Sequence, residues 1–111
     1  SLTIFLNAPD DYEGGELVIR TSFGTQSVKL PAGHAILYPS SSLHQVSAVT
    51  EGTRLVAVTW VQSLVRDPGR RELLYELHQA RASLLRKQPD AEVTRQVDHS
   101  YVNLVRLWSE I

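Results

Sequence analysis

The spacing of apolar residues changes once along this chain, near Ser63. Before that point apolar positions come in short runs or strict alternation: Leu2-Thr3-Ile4-Phe5-Leu6, Glu16-Leu17-Val18-Ile19-Arg20-Thr21, Gln26-Ser27-Val28-Lys29-Leu30, residues 35–38, residues 44–49 and residues 54–62. Runs this short, bounded by Gly, Pro, Asn and Asp, read as strands. The clusters at 7–11, 23–25, 31–33 and 39–42 read as turns. Gly14-Gly15 marks a tight bend or a bulge. Glu51-Gly52 reads as a two-residue hairpin turn between the strand opened by His44 and the one opened by Arg54. Six such strands, turning roughly every 8–12 residues, predict an antiparallel sandwich or barrel. The gaps are too short for the crossovers of a parallel sheet.

After Ser63 the period becomes helical. Asp67 suits an N-cap and Pro68 a first helical position. Leu73, Leu74, Leu77, Ala80, Leu84 and Leu85 then recur at helical spacing to about Lys87. Gln88-Pro89-Asp90 interrupts, with Asp90 as the next cap, and Val93, Val97, Tyr101, Leu104, Val105 and Trp108 mark one face of a second helix. Two amphipathic helices with a short link form an antiparallel hairpin, suited to cover a sheet or to form a homodimer contact. The expected organisation is a mainly β domain over residues 1–66 and a helical extension over 67–111.

Composition narrows the function classes. A chain of 111 residues with 42% apolar content can bury a core. The net charge of -1 gives no general attraction to nucleic acid or to an anionic membrane. The basic residues of the helical part are scattered among acids and read as a solvated face. Cysteine is absent, which excludes disulfides, thiolate metal sites and a Cys nucleophile. No membrane span or leader is visible, which fits a cytoplasmic protein. Methionine is also absent, even at position 1, and the chain begins inside a strand. The expectation is that it is the C-terminal part of something longer.

Four histidines are candidates for chemistry. His78 and His99 have no His or carboxylate four residues on, and His34 sits in a turn, so these read as structural or surface residues. His44 follows a Ser-rich loop, and Arg54 lies ten residues later. On a hairpin about Glu51-Gly52, His44 would lie opposite position 59 and Arg54 near Val49. Their Cα atoms would then be offset by about 15 Å at ~3.3 Å per residue. A dicarboxylic acid that chelates a metal at one end and meets an arginine at the other would span that gap. Arginine suits the far end, because its planar fork grips a carboxylate bidentately and stays charged.

Four segments, SLTIFLN at 1–7, DDYEGGELVIR at 10–20, VKLPAGHAILYPSSSLHQV at 28–46 and GTRLVAVTWVQSLVRD at 52–67, together resemble the PKHD-type (prolyl/lysyl hydroxylase-like) Fe(II)- and 2-oxoglutarate-dependent dioxygenases. The bacterial branch associated with iron uptake is the nearer likeness, and RELLYEL at 71–77 is similar to that family's C-terminal extension. The resemblance implies a double-stranded β-helix (jelly roll), here incomplete, plus the helical hairpin. It implies hydroxylation of a substrate coupled to conversion of 2-oxoglutarate and O2 into succinate and CO2, with ascorbate as reductant. On the matching motifs, His44 is the distal iron ligand and Arg54 the partner of the far carboxylate of 2-oxoglutarate. Trp60, Leu17, Val46 and Phe5 line the cosubstrate pocket. Many relatives have Tyr where Phe5 stands, and Phe5 cannot donate that hydroxyl. The family's His-x-Asp motif occurs nowhere in this chain. The other two iron ligands are therefore expected upstream of Ser1.

Two other readings remain at this level. A cupin-type metal protein shares the barrel and turns such as Pro31-Ala32-Gly33, but has Ile36 where a ligand is wanted. A non-enzymatic β-sandwich acting through its helical hairpin would need neither His44 nor Arg54. The primary substrate is not readable, because substrate loops vary most.

Overall fold

The computed structural model describes all residues, Ser1–Ile111. They form two compact units, Ser1–Val61 and Gln62–Ile111.

The first unit contains eight strands: β1 (Leu2–Phe5), β2 (Tyr12–Gly14), β3 (Leu17–Thr21), β4 (Gly24–Val28), β5 (Ala35–Leu37), β6 (His44–Val46), β7 (Val49–Gly52) and β8 (Val56–Thr59). All pairings are antiparallel, in the orders β5-β1-β8, β2-β7 and β4-β3-β6. This is a partial jelly roll. The two central strands, β1 and β3, each bury one face. Thr3 and Phe5 are buried while Leu2 and Ile4 are half-buried, and Leu17 and Ile19 are buried while Val18 is half-buried. The sequence reads both as short apolar strands, and the alternating burial is that of a strand with one covered face. The two buried faces, with Tyr12, make the core of the unit. Full burial of Phe5 is worth about 1.5–3 kcal/mol relative to exposure.

The expected hairpin about Glu51-Gly52 does not form. β6 pairs with β3, so that His44 faces Ile19 rather than position 59. Residues 49–52 are a separate strand paired with β2, and β8 pairs with β1, beginning at Val56 rather than Arg54. The chain crosses between sheets where a local turn was expected. Gly52 serves a close approach, not a hairpin turn: its φ is +75°, and a Cβ would lie 2.1 Å from the Asp11 carbonyl oxygen. Gly14, at φ +73°, is pressed likewise against the Ala48 carbonyl, where the β2-β7 register slips by a bulge. The extra residue of that bulge is Thr50 on β7, opposite Glu13/Gly14, and Gly14-Gly15 themselves make the tight bend, both at positive φ.

One side-chain tie joins the start of β3 to the residue after β6. The Glu16 N–H donates to Ser47 Oγ at 3.0 Å, the Ser47 N–H donates to the Glu16 carbonyl at 2.9 Å, and the Ser47 hydroxyl donates to the Glu16 carboxylate. The Ser47 hydrogen bond is the main reason the Glu16 pKa falls below its ordinary value, helped by its own backbone N–H and by Lys29, against a small opposing effect of burial.

In the second unit, α1 (Pro68–Lys87) and α2 (Glu92–Trp108) pack on one another. Asp67 caps α1 as the sequence predicts, its carboxylate accepting from the Arg70 N–H at 2.8 Å. Asp90 does not cap α2. The N-cap is Ala91, and the buried Thr94 instead donates its hydroxyl to the Gln88 carbonyl at 2.6 Å, closing the interhelical link. Arg81 on α1 donates to Asp98 on α2 at 2.6 Å and stacks over Tyr101 at 4.7 Å. His78 packs beside the same Tyr101 ring, 5.5 Å between centroids, a structural place for that histidine. No helix is long and apolar enough to cross a membrane.

Two outcomes are expected. Gly52→Ala combines a disfavoured φ with a backbone clash and should cost more than about 1 kcal/mol in denaturant unfolding; an unchanged midpoint would contradict the close approach. The lowered Glu16 pKa means the Ser47 tie is at full strength above 4.5, the ordinary value, and is lost as pH falls and the carboxylate protonates. Ser47→Ala should therefore bring the Glu16 titration, followed by carboxyl NMR, back up toward 4.5, and the stability gap from wild type should narrow on acidification.

Candidate functional site

His44 opens β6 immediately after the loop Pro39-Ser40-Ser41-Ser42. That loop is folded by the Ser42 N–H donating to the Pro39 carbonyl at 3.0 Å. It is tied to the sheet by the Arg20 N–H donating to the Leu43 carbonyl at 2.9 Å. The Ser42 carbonyl is thereby held against the imidazole, and His44 Nδ1 lies 2.6 Å from it. A carbonyl oxygen only accepts, so Nδ1 carries the proton, and in the neutral ring Nε2 keeps its lone pair free. This is the arrangement in which a histidine binds a metal through Nε2 while its other nitrogen is fixed by a backbone acceptor. Tyr38 packs against the ring edge-on, at 4.9 Å between centroids and 72°.

The register places the neighbours of His44. Residues directly opposite in an antiparallel pair point to the same side. His44 shares a face with the buried Ile19, and Val46 shares that face with the buried Leu17.

Arg54 belongs to the other sheet. It lies just before β8, between two residues held by one side chain: Asn7 Nδ2 donates to the Thr53 carbonyl at 2.7 Å, and the Leu55 N–H donates to Asn7 Oδ1 at 3.2 Å. The Asn7 amide thus extends the β1-β8 ladder past Phe5, where the Leu6 N–H still reaches the Leu55 carbonyl at 3.0 Å. Clamped on both sides, Arg54 turns its guanidinium over the Phe5 ring, 5.8 Å from Cζ to centroid. Its Nε is buried and has no hydrogen-bond partner. A buried unpaired guanidinium N–H is costly, and an anion placed over Phe5 would satisfy it. Phe5 pairs with Val56 and Thr3 with Val58, so alternation puts Arg54, Val56, Val58 and Trp60 on one side.

The residues expected to line a pocket therefore fall into two groups. Phe5, Arg54 and Trp60 belong to the β5-β1-β8 sheet, and Leu17, His44 and Val46 to the β4-β3-β6 sheet. His34 is exposed in its turn. Sequence pattern does not single out Asn7 and Ser42, which set the rotations of Arg54 and His44. Asn7 reads as a turn residue, and no sequence signal reveals a carbonyl acceptor such as that of Ser42.

The donor set decides what this chain can hold. No cluster of three or more His, Asp or Glu side chains suited to a metal ion occurs in it. His44 alone does not make an iron site, whereas Arg54 over Phe5 fits a carboxylate.

Comparison with known proteins identifies the family. Residues 1–62 match the 2OG-Fe(II) oxygenase superfamily, and residues 68–110 match the PKHD-type hydroxylase C-terminal domain. A PKHD-type hydroxylase of Thioalkalivibrio sulfidiphilus is 60% identical over 111 residues, which is 100% of this chain and 50% of the relative. PKHD-type hydroxylases of Thermosynechococcus vestitus and of a Picosynechococcus species are 57% and 54% identical, over 100% and 99% of this chain and 50% of each relative. The chain spans about half the length of the curated relatives it matches. With a family match across the whole jelly-roll unit and a second across the helices, the chain belongs to the 2OG-Fe(II) oxygenase superfamily, on its PKHD-type hydroxylase branch.

Proposed function

We propose that this chain is the cosubstrate-anchoring part of a 2-oxoglutarate-dependent hydroxylase. The overall reaction would insert one atom of O2 into a substrate C–H bond and the other into succinate, with loss of CO2 from 2-oxoglutarate. The single observation that carries this reading is the buried, unpaired Arg54 Nε held over the Phe5 ring.

In this reading Arg54 binds the far carboxylate of 2-oxoglutarate. Burial of its Nε strengthens that ion pair by keeping water away from it. Phe5 supports the guanidinium from below, and the buried Leu17, with Val46 and Trp60, which are 46% and 75% exposed in this structure, would be the apolar surfaces beside the cosubstrate. His44, with its proton on Nδ1, offers Nε2 to iron. One histidine is too few, and the remaining ligands would come from residues outside this chain. Iron with 2-oxoglutarate supplies the oxidising power in this superfamily, and ascorbate would serve as reductant. The division of labour would follow residues 1–66 for chemistry and 67–111 for packing or self-association.

Arg54→Ala in the full-length protein should raise the 2-oxoglutarate KM by about tenfold to a hundredfold, since a hydrogen-bonded charge pair is removed. His44→Ala should abolish 2-oxoglutarate decarboxylation. Full decarboxylation by His44→Ala, or an unchanged KM in Arg54→Ala, would sink the reading.

A further inference from the structure

The two helices bury one residue each, Leu74 on α1 and Thr94 on α2. Their apolar residues are nevertheless ordered. On α1, Leu73, Leu77, Ala80 and Leu84 follow one another at steps of four, three and four. On α2, Val97, Tyr101, Leu104 and Trp108 repeat the same steps. That spacing is the seam of a helix that packs in a bundle. The two stripes lie side by side in the antiparallel hairpin, where Leu73, Leu77 and Ala80 line an open groove of about 420 Å3 with Leu104 and Trp108. None of the residues in either stripe is buried, and Leu73 is 57% exposed. We propose that a second copy of this chain covers the groove, so that two hairpins related by a two-fold axis form a four-helix bundle.

Self-complementarity is what singles out a second copy. A two-fold axis through the middle of the α1 stripe makes the two α1 helices antiparallel. Leu73 then meets Leu84 of the second copy, and Leu77 meets its Ala80. Ala80 is the small residue of the stripe, and it leaves room for Leu77 where the helices cross. The same register brings Glu72, at the edge of the stripe, alongside Arg86 of the second copy, and symmetry repeats the pair. Glu72 and Arg86 are both exposed, and neither joins the hairpin's own ion pair, which links Arg81 to Asp98. The other arginines near Glu72 are already engaged. Arg70 stacks on Trp108 at 5.3 Å, and Arg71 donates to the Val65 and Arg66 carbonyls, both at 2.8 Å. An acid near the start of α1 and a base near its end meet when two α1 helices run in opposite directions, so charge and shape select the same arrangement.

The test is sedimentation equilibrium of the full-length protein, which should show the mass of two copies. Ala80→Arg places a bulky charge at the crossing, while Glu76, four residues earlier, supports the new arginine along the helix. It should raise the dissociation constant by about a hundredfold or more and leave the thermal midpoint of the dilute, single-copy protein unchanged. Glu72→Arg, and separately Arg86→Glu, should each raise the constant by about threefold to tenfold, the scale of two exposed ion pairs turned repulsive. An equimolar mixture of those two variants should regain the wild-type constant, because each charge then faces its opposite across the interface. Simple misfolding of a variant cannot produce that recovery. A full-length protein that remains a single copy at about 100 μM would overturn the proposal, and the groove would then belong to another part of the same molecule. A dimer indifferent to Ala80→Arg, or a mixture that recovers nothing, would overturn it equally.

Discussion

Strand β1 is hydrogen-bonded along both edges, to β5 and to β8, and its register cannot slip by one residue without turning Thr3 and Phe5 out of the core. Everything proposed for the site follows from that constraint. The pairing of Phe5 with Val56 sets where β8 begins, and Asn7 then continues the ladder with its side-chain amide on either side of Arg54. A residue that precedes a strand would ordinarily be free to swing. Here it is clamped, and its guanidinium is delivered over an aromatic ring with one N–H buried and unsatisfied. The fold thus stores a local cost, of about 1–3 kcal/mol for such a group, that an anionic ligand would relieve.

The β4-β3-β6 sheet is built by the same logic. β3 is central in its sheet, Ile19 and Leu17 are buried, and their cross-strand partners His44 and Val46 face the same way. The Ser42 carbonyl fixes the imidazole tautomer. The Glu16–Ser47 tie locks the other end of β6 against β3. The chain therefore holds a clamped guanidinium on one sheet and one oriented imidazole on the other, but no set of three metal ligands.

Much of this is legible from residue patterns, for physical reasons that also mark where legibility ends. A short apolar run bounded by turn residues reports a strand, and that signal identifies β1 and β3 correctly. It does not report partners. Glu51-Gly52 looks like a hairpin turn because glycine with positive φ serves turns and close approaches alike, and here the neighbour is the Asp11 carbonyl. In a jelly roll, strands pair across long sequence separations, as β1 does with both β5 and β8, and local signals are blind to that. The helices are plainer, because capping is local: Asp67 and Pro68 start α1 as the sequence predicts. Asp90 does not cap α2, because the helix begins one residue later and its N-cap is Ala91, which has no side-chain acceptor. His44 and Arg54 stand out as chemistry-bearing residues, yet their expected placement on one hairpin is wrong.

The central claim is that these residues anchor 2-oxoglutarate but hold only part of a metal site. The most direct measurement is a parallel calorimetric titration of Mn(II), and of 2-oxoglutarate in its presence, into the 111-residue chain and into the full-length protein. The account predicts that the full-length protein binds both, and that the shorter chain shows no comparable metal affinity. Metal binding of equal strength by the 111-residue chain, or 2-oxoglutarate binding by neither protein, would contradict it.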